Sequence, residues 1–255
     1  MSHRPTRRQF LRSAGCAVIP SLASAIACGH RDVPATTDAD VTAVGQPAEF
    51  SQTTRNRATS LGKTVQRSVV RITTASGGGT GWSIDDGYIL TNSHIVRETS
   101  TVDIETFDER TGIATRVGFH RDLFPDIALL EIDIDPPPSL SMRTDAPIAT
   151  GEPVLAVGHP KSVGNWVISL GRYNTYDARS NWIRAEIPTG DGNSGSPLLT
   201  MDGNVAGCIN GTSPETHPPG RVDRPETVYT AYPKEVPVAT ATPAETIAKW
   251  LREWR

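Results

Sequence analysis

Short apolar runs bounded by turn residues recur along the chain from about residue 56 onward, and their length and spacing predict strands. The first series of predicted strands is 69–72, 81–84, 88–90, 102–104, 116–119 and 127–134. After a Pro-containing connector at 135–152, a second series follows at 153–157, 166–170, 182–187, 197–199, 204–209 and 228–231. Two such series predict an all-β fold of two small antiparallel barrels or sandwiches, at about 66–135 and 152–240.

The end of the chain carries a helical pattern instead. Thr242, Pro243 and Glu245 supply an N-cap, a first-turn proline and a capping-box acid, which predict a helix over 243–254. Its apolar residues recur at helical spacing and form one stripe: Ile247, Trp250, Leu251 and Trp254. We expect this stripe to pack against the second barrel.

The first 27 residues have the features of an export signal. Arg7 and Arg8 precede Phe-Leu and a modest small-residue stretch, which resembles a twin-arginine signal and is too short to span a bilayer. The small-x-small pattern at 25–27 predicts cleavage before Cys28, which also resembles the lipid-modified cysteine of exported lipoproteins. Lipidation and plain cleavage both remain open. Residues 28–55 are polar and without period, so they predict a disordered spacer before a folded domain at 56–255.

The amino-acid composition excludes some classes of protein from consideration. The 255 residues carry 25 Lys and Arg against 28 Asp and Glu, a net charge of −3 that argues against nucleic-acid binding. Twenty Pro and 22 Gly favour a turn-rich β fold over long helices. The three cysteines form neither a disulfide framework nor a paired metal-ligand spacing. We therefore expect no metal and no cofactor.

Segment 190–197, with the sequence GDGNSGSP, is the most informative part of the chain. Glycines on both sides of Ser194 predict a turn that projects the hydroxyl from the backbone. The same turn, which includes Asn193, would direct the amides of Gly192 and Ser194 into one space, as an oxyanion hole requires. Read in isolation, the segment is equally compatible with a hairpin turn.

A serine nucleophile requires a histidine base and an orienting carboxylate. His94 follows the predicted strand 88–90 and would lie at a strand end, whereas the other five histidines lie in or beside the export segment or in polar turns. Asp126 directly precedes an apolar strand, where a carboxylate without a partner would carry a heavy desolvation cost. Asp122, Asp133 and Asp135 are nearby alternatives. A neutral His94 would act as the base, which predicts activity that rises through roughly pH 6 to 8.

With His94, Asp126 and Ser194 in this order, the chain resembles the trypsin-like, chymotrypsin-fold serine proteases over about residues 68–254. The segments GTGW at 79–82 and DGYILTNSHIV at 86–96 resemble the HtrA (Deg) branch in particular. The resemblance implies two six-stranded barrels with a catalytic triad between them, and polypeptide substrates. The helix predicted at the end of the chain leaves no room for the PDZ module that usually follows in that branch, and the oligomeric state stays undetermined.

The specificity pocket departs from the family pattern. The resemblance puts its walls at Pro188, Thr189, Cys208, Ile209, Asn210 and Gly211. Pro188 stands where enzymes that cleave after Lys or Arg carry Asp, so an apolar or small side chain is expected before the cleaved bond. GNSGSP and Thr189 resemble glutamyl endopeptidases, but Ile209 replaces their pocket histidine. A binding protein without turnover and an esterase with the same triad remain alternatives.

Overall fold

The structure, a computed structural model, describes residues 49–85, 87–145, 147–212, 228–230 and 238–255. The predicted export signal, Cys28 and most of the predicted spacer lie outside the described residues. Within the described part of the chain, no helix is long and apolar enough to cross a membrane.

Six antiparallel strands close into the first barrel. They are β1 (Val69–Thr74), β2 (Gly77–Asp85), β3 (Tyr88–Thr91), β4 (Thr101–Thr106), β5 (Thr111–Phe119) and β6 (Ala128–Ile132), in the order β1-β2-β3-β6-β5-β4. Strand β4 shows why the sequence forms strands here, because buried Val102 and Ile104 alternate with exposed Thr101 and Asp103. The buried side chains fill the barrel interior together with Ile72.

The second barrel contains the other six described strands. They are β7 (Pro153–Gly158), β8 (Val167–Asp177), β9 (Trp182–Glu186), β10 (Pro197–Thr200), β11 (Val205–Thr212) and β12 (Val238–Pro243), in the order β10-β11-β12-β9-β8-β7. Two closed six-stranded antiparallel barrels confirm the predicted all-β fold. An apolar core lies between the barrels, with Trp82 and Leu129 from the first and Leu155 and Leu199 from the second.

The last strand was predicted in the wrong place. Residues 228–230 form only an isolated parallel bridge, Tyr229 to Ser169, whereas β12 pairs with both β11 and β9 and closes the barrel. The sequence VATATP of β12 has small side chains and a weak apolar signal, yet all six residues are buried. Their burial comes from the two neighbouring strands, so the local pattern alone did not reveal it.

The carboxyl-terminal helix, α3 (Ala244–Trp254), is confirmed, but it contacts both barrels. Its N-cap is Pro243 and not Thr242 as predicted, because the Thr242 hydroxyl is bonded to the Asn210 side chain at 2.9 Å. Its buried residues Ile247 and Leu251 belong to the core between the barrels. Trp254 covers Gly118 of β5 so closely that a Cβ at Gly118 would lie 2.4 Å from the indole ring. Trp250 meets His120 edge-on at 4.1 Å between ring centroids. The apolar stripe therefore ties the end of the chain to the first barrel as well as the second.

The helix α1 (Gln52–Val65) was missed, and it includes residues 52–55 of the predicted spacer. Ser51 caps it by accepting a hydrogen bond from the Thr54 amide at 3.1 Å. Its buried residues are Ala58, Gly62 and Val65, a spacing of one helical face with two very small members. A Cβ at Gly62 would lie 2.6 Å from the side chain of Ile168, so glycine permits the close approach of α1 to β8. Such a face carries little apolar signal in sequence.

Candidate active site

His94 lies on a short helix, α2 (Ser93–Val96), that begins two residues after β3 ends. The two residues that precede His94 attach this helix to the residues just before β6. Asn92 donates its side-chain amide to the Asp126 carbonyl at 2.7 Å, and the Ser93 hydroxyl donates to the Ile127 carbonyl. Two side chains next to His94 thus hold the backbone next to Asp126, which fixes the relative position of the imidazole and the carboxylate.

Asp126 contacts His94 at two points. One carboxylate oxygen, Oδ2, lies 2.6 Å from Nδ1 of His94, and the other, Oδ1, accepts the His94 backbone N–H at 3.0 Å. Asp126 is 8% exposed, whereas the side chain of His94 is 37% exposed. Because Nδ1 carries the proton toward the carboxylate, Nε2 is left as the acceptor.

The three alternative carboxylates do not bond to His94 in the described structure. The carboxylate of Asp122 accepts only the Phe124 amide, at 3.5 Å. The carboxylate of Asp133 accepts the Ile113 amide at 2.8 Å, and it is the carbonyl of Asp135 that accepts Arg110. The geometry therefore favours Asp126 among the carboxylates that the sequence offered.

The turn that carries Ser194 depends on two glycines with positive φ. Gly192 has φ +98° and Gly195 has φ +86°. A Cβ at Gly192 would lie 2.1 Å from the His159 carbonyl oxygen, and one at Gly195 would lie 1.9 Å from the Thr80 carbonyl oxygen. Only glycine satisfies both the conformation and the space at these positions.

Thr80 of β2 holds the same turn from the first barrel. Its amide donates to the Ser194 carbonyl at 2.8 Å, and its buried hydroxyl donates to the Gly192 carbonyl at 2.8 Å. The two bonds orient the peptide unit between Gly192 and Asn193 and the one between Ser194 and Gly195. In the sequence, the segment GTGW at 79–82 stood out only through the family resemblance, and this function of Thr80 was missed.

Two backbone amides remain for an oxyanion. Among the described residues, the N–H groups of Gly192 and Ser194 have no hydrogen-bond acceptor. The Asn193 amide, in contrast, donates to the Gly190 carbonyl at 2.9 Å inside the turn. The prediction that counted Asn193 with the oxyanion hole is therefore corrected, because its N–H is already bonded and its side chain is buried.

The Ser194 hydroxyl donates to the Asn210 carbonyl at 3.2 Å. Within the described ranges it makes no hydrogen bond to His94. Ser194 and Ile95, the neighbour of His94, nevertheless flank the same glycine, because a Cβ at Gly79 would lie 2.8 Å from the Ser194 carbonyl oxygen and 2.4 Å from the Ile95 side chain. The structure thus brings the nucleophile turn and the His94 helix together at the cleft.

The residues predicted to line the specificity pocket differ in their surroundings. Thr189 is fully buried, and its hydroxyl has no partner among the described residues; Pro188 is buried beside it. Asn210 and Gly211 are half-buried near the carboxyl-terminal end of β11.

Cys208 and Ile209 do not fit the predicted wall, because both faces of β11 are packed at this point. Cys208 belongs to the core between the barrels, where burial raises the pKa of its thiol, and Ile209 belongs to the core of the second barrel.

Ser196, the unusual residue of the GNSGSP segment, is accommodated by a glycine on β7. A Cβ at Gly158 would lie 2.1 Å from the Ser196 hydroxyl oxygen. The Ser196 side chain, which replaces the family's usual second glycine, therefore occupies space that Gly158 leaves open. Nothing in the local sequence connects these two positions, so only the structure shows the compensation.

Comparison with known proteins places these features in a family. A family model described as a trypsin-like peptidase domain matches residues 79–207. Proteins named "probable periplasmic serine endoprotease DegP-like" from Marinomonas sp. and Halomonas elongata are 33% and 34% identical over 135 residues. Each match covers 51% of this chain and 28% of the relative, so the chain corresponds to less than a third of the length of these curated relatives.

Solved structures share the fold. A serine endoprotease from Yersinia pestis aligns with a TM-score of 0.63 and 21% identity over 81% of this chain and 68% of that chain. The active form of the Rv3671c protease from M. tuberculosis aligns with a TM-score of 0.63 and 22% identity, over 84% of this chain and 91% of that one. At these identities the comparison shows a shared fold, which is the arrangement of the two barrels.

Proposed function

Because the chain belongs to the family of trypsin-like peptidases, we propose that it is a serine endopeptidase that cuts polypeptides through an acyl-enzyme. The family prediction made from the sequence motifs is thereby confirmed. The observation that carries the proposal is the two-point contact between Asp126 and His94, at 2.6 and 3.0 Å, beside the turn that presents Ser194. Such a pair supplies the oriented base that a serine hydroxyl needs in order to attack.

In the first half of the reaction, the Ser194 hydroxyl rotates from the Asn210 carbonyl toward Nε2 of His94. As the oxygen bonds to the substrate carbonyl carbon, its proton moves to Nε2, and the carboxylate of Asp126 stabilises the resulting imidazolium. The negative charge that develops on the carbonyl oxygen is met by the amides of Gly192 and Ser194, which already lack other acceptors among the described residues.

In the second half, the imidazolium returns its proton to the leaving nitrogen, and the carbon–nitrogen bond breaks. A water molecule then attacks the acyl-enzyme, gives a proton to His94, and releases the acid with recovery of the Ser194 hydroxyl. Every group in this sequence belongs to the protein or to the substrate and water.

Labelling with a fluorophosphonate probe tests the proposal directly. We expect covalent labelling at Ser194, located by mass spectrometry and absent from Ser194→Ala. Ser196→Ala is the matched control, because that variant removes a buried hydroxyl two residues away and should leave labelling intact. Absence of labelling from pH 6 to 9 in the wild-type protein, or labelling that survives in Ser194→Ala, would contradict the proposed nucleophile.

A latent form is the second candidate, and one observation favours it. The hydrogen bond from Ser194 to the Asn210 carbonyl holds the hydroxyl away from His94. If this arrangement dominated in solution, the probe would react slowly even though the triad residues are intact, and the protein would act as a binding module until it was switched. An esterase would label normally but fail to cleave a peptide library, so the two assays together separate the three readings.

We further propose that the protein is exported, on the basis of the twin-arginine pattern at residues 1–27. The relatives whose names describe periplasmic proteases support an extracytoplasmic location. Replacement of Arg7 and Arg8 by Lys should retain the protein in the cytoplasm, measured by cell fractionation. Mass spectrometry of the exported amino terminus should find Cys28 as the first residue, and a diacylglyceryl or acyl adduct there would establish a membrane anchor that Cys28→Ser abolishes.

A further inference from the structure

A cavity of about 280 Å³ lies directly beside the nucleophile turn. Its walls come from β1, from the glycines at the start of β2, from the loop that follows β7, and from Gly192. Gly79 connects it to the reaction site, because a Cβ there would lie only 2.8 Å from the Ser194 carbonyl oxygen. The cavity therefore adjoins the turn that carries Ser194 on the side of β2.

The charged side chains that line this cavity are both cationic. Arg71 and Lys161 contribute to its wall, and no acidic side chain of the described residues does. Lys161 is exposed, and in the described part of the chain no carboxylate forms an ion pair with it. Arg71 forms an ion pair with Glu105 across β1 and β4, but its Nε is buried and has no hydrogen-bond partner among the described residues. That enclosed Nε cannot meet a ligand, but the Arg71 side chain as a whole stays 41% exposed, so the ion pair leaves part of it accessible.

The loop that carries Lys161 is fixed by hydrogen bonds at three points. The Lys161 amide donates to the Asp191 carbonyl at 2.8 Å, which ties it to the nucleophile turn. The Trp166 indole donates to the Val69 carbonyl at 2.9 Å, and its backbone amide donates to Nδ1 of His159 at 3.1 Å. The ammonium is consequently presented from an anchored backbone beside Gly192.

His159 contributes a neutral wall to the cavity. It is 5% exposed, and burial lowers its pKa to about 3; the Val70 carbonyl opposes this shift and the Arg71 guanidinium adds to it. The imidazole is therefore uncharged at neutral pH. The cationic character of the cavity comes from Arg71 and Lys161 alone.

The position of the cavity assigns it to the leaving-group side of the substrate. Pro188 and Thr189, with the edge of β11 at Asn210, form the expected pocket for the side chain before the cleaved bond. The Ser194 hydroxyl already faces Asn210, and the cavity lies on the other side of the turn, against β2. In an extended peptide each residue advances the chain by about 3.3 Å, so the first three residues after the cleaved bond span this region.

We propose that this cavity binds a carboxylate that the substrate carries one to three residues after the cleaved bond, through Arg71 and Lys161. The inference rests on the proposed peptidase function and specifies its substrate class. Two sources share this chemistry: an Asp or Glu side chain, and the free carboxyl terminus of a short leaving peptide. A cation that makes a partly exposed contact with a carboxylate favours that substrate by up to about fivefold over its uncharged isostere.

The test begins with a peptide library whose cleavage products are read by mass spectrometry, followed by kinetics on peptides built from the best site. At each of the three positions after the cut, the peptide carries Glu or Gln, and every peptide is made with a free and an amidated carboxyl terminus. The ratio of kcat/KM for Glu over Gln should exceed one, by up to about fivefold, in at least one amidated peptide. A preference confined to free carboxyl termini would support the same cavity with the terminal carboxylate as its ligand.

Three variants test the cavity, and each has a different expected effect on this ratio. Lys161→Gln should reduce the ratio toward one, whereas Glu105→Gln should increase it, because the latter removes the carboxylate that competes for Arg71. Arg67→Gln is the matched control: it removes an exposed cation of the first barrel that does not line this cavity, and should change nothing. A ratio of one or less at all positions in an enzyme that labels and cleaves normally would overturn the inference and leave the peptidase proposal intact. Failure to label Ser194 and to cleave any peptide would instead reject both.

Discussion

Replacement of Asp126 by Asn is the sharpest test of the candidate triad, because it preserves shape while it changes hydrogen bonding. The carboxylate accepts two hydrogen bonds from His94, one from the backbone N–H and one from Nδ1. An amide offers one oxygen and one NH₂ group, so it satisfies only one of these donors. If the oxygen keeps the backbone contact, Nδ1 must become an acceptor and the ring proton moves to Nε2.

The magnitude follows from the loss of the base. With the proton on Nε2, His94 has no lone pair directed at Ser194, and the imidazolium that forms in the transition state loses its negative partner. In Ser–His–Asp triads this replacement lowers kcat by about 10⁴-fold, equivalent to about 5 kcal/mol of transition-state stabilisation. Asp126 is 8% exposed, so solvent does little to substitute for the missing charge.

The assay is the rate of fluorophosphonate labelling, together with kcat/KM on a cleaved peptide, for Asp126→Asn and for a matched control. Asp122→Asn is that control, because the carboxylate of Asp122 accepts only the Phe124 amide at 3.5 Å. We expect the control to stay within about twofold of the wild-type rate, in keeping with the small effects of surface substitutions. A loss below tenfold in Asp126→Asn, with the protein folded, would refute the assignment of Asp126 as the orienting carboxylate.

Three further predictions concern the turn and its surroundings. Gly195→Ala should lower the free energy of unfolding by several kcal/mol more than Gly151→Ala. Both glycines have nearly the same φ, +86° and +87°, so the backbone strain is matched. Only a Cβ at Gly195 would meet another atom, the Thr80 carbonyl oxygen at 1.9 Å. Thermal or urea unfolding measures the difference. Thr80→Val removes the hydroxyl bond to the Gly192 carbonyl, so it should slow acylation about tenfold with little change in KM, measured by steady-state kinetics. The free energy of unfolding should fall as the pH drops from about 6.5 to about 3, because the imidazole of His159 binds a proton in the unfolded chain but not when buried. The contribution of His159 to this loss should be up to about 4–5 kcal/mol. In His159→Asn this part of the pH dependence should disappear from the urea-unfolding series.

Each of these predictions has an outcome that would contradict it. Equal losses of stability in Gly195→Ala and Gly151→Ala would show that the turn moves to relieve the contact. An increase in KM without a change in kcat for Thr80→Val would assign that hydroxyl to substrate binding. An unchanged slope of stability against pH in His159→Asn would mean that other groups account for the acid sensitivity.

The parts of this protein with a local signal could be predicted from the order of its residues alone. Strong apolar runs such as those of β1 and β7 identified most of the strands, because a strand needs apolar side chains wherever a barrel interior has to be filled. The residues His94, Asp126 and Ser194 stood out because each lies next to a strand end or a glycine turn. The pairing of His94 with Asp126 is then observed in the structure, at 2.6 Å.

Tertiary structure decided whatever depends on neighbours distant in sequence. Strand β12 is built from small residues and helix α1 has a buried face of mostly small ones, and the strands beside them cause this burial, so their own periodicity was too weak to reveal them. The same holds for the two faces of β11, both of which are covered, and for the space that Gly158 leaves to Ser196. Thr80 shows the physical reason most clearly, because its bonds to a turn more than a hundred residues away exist only once the two barrels are packed together.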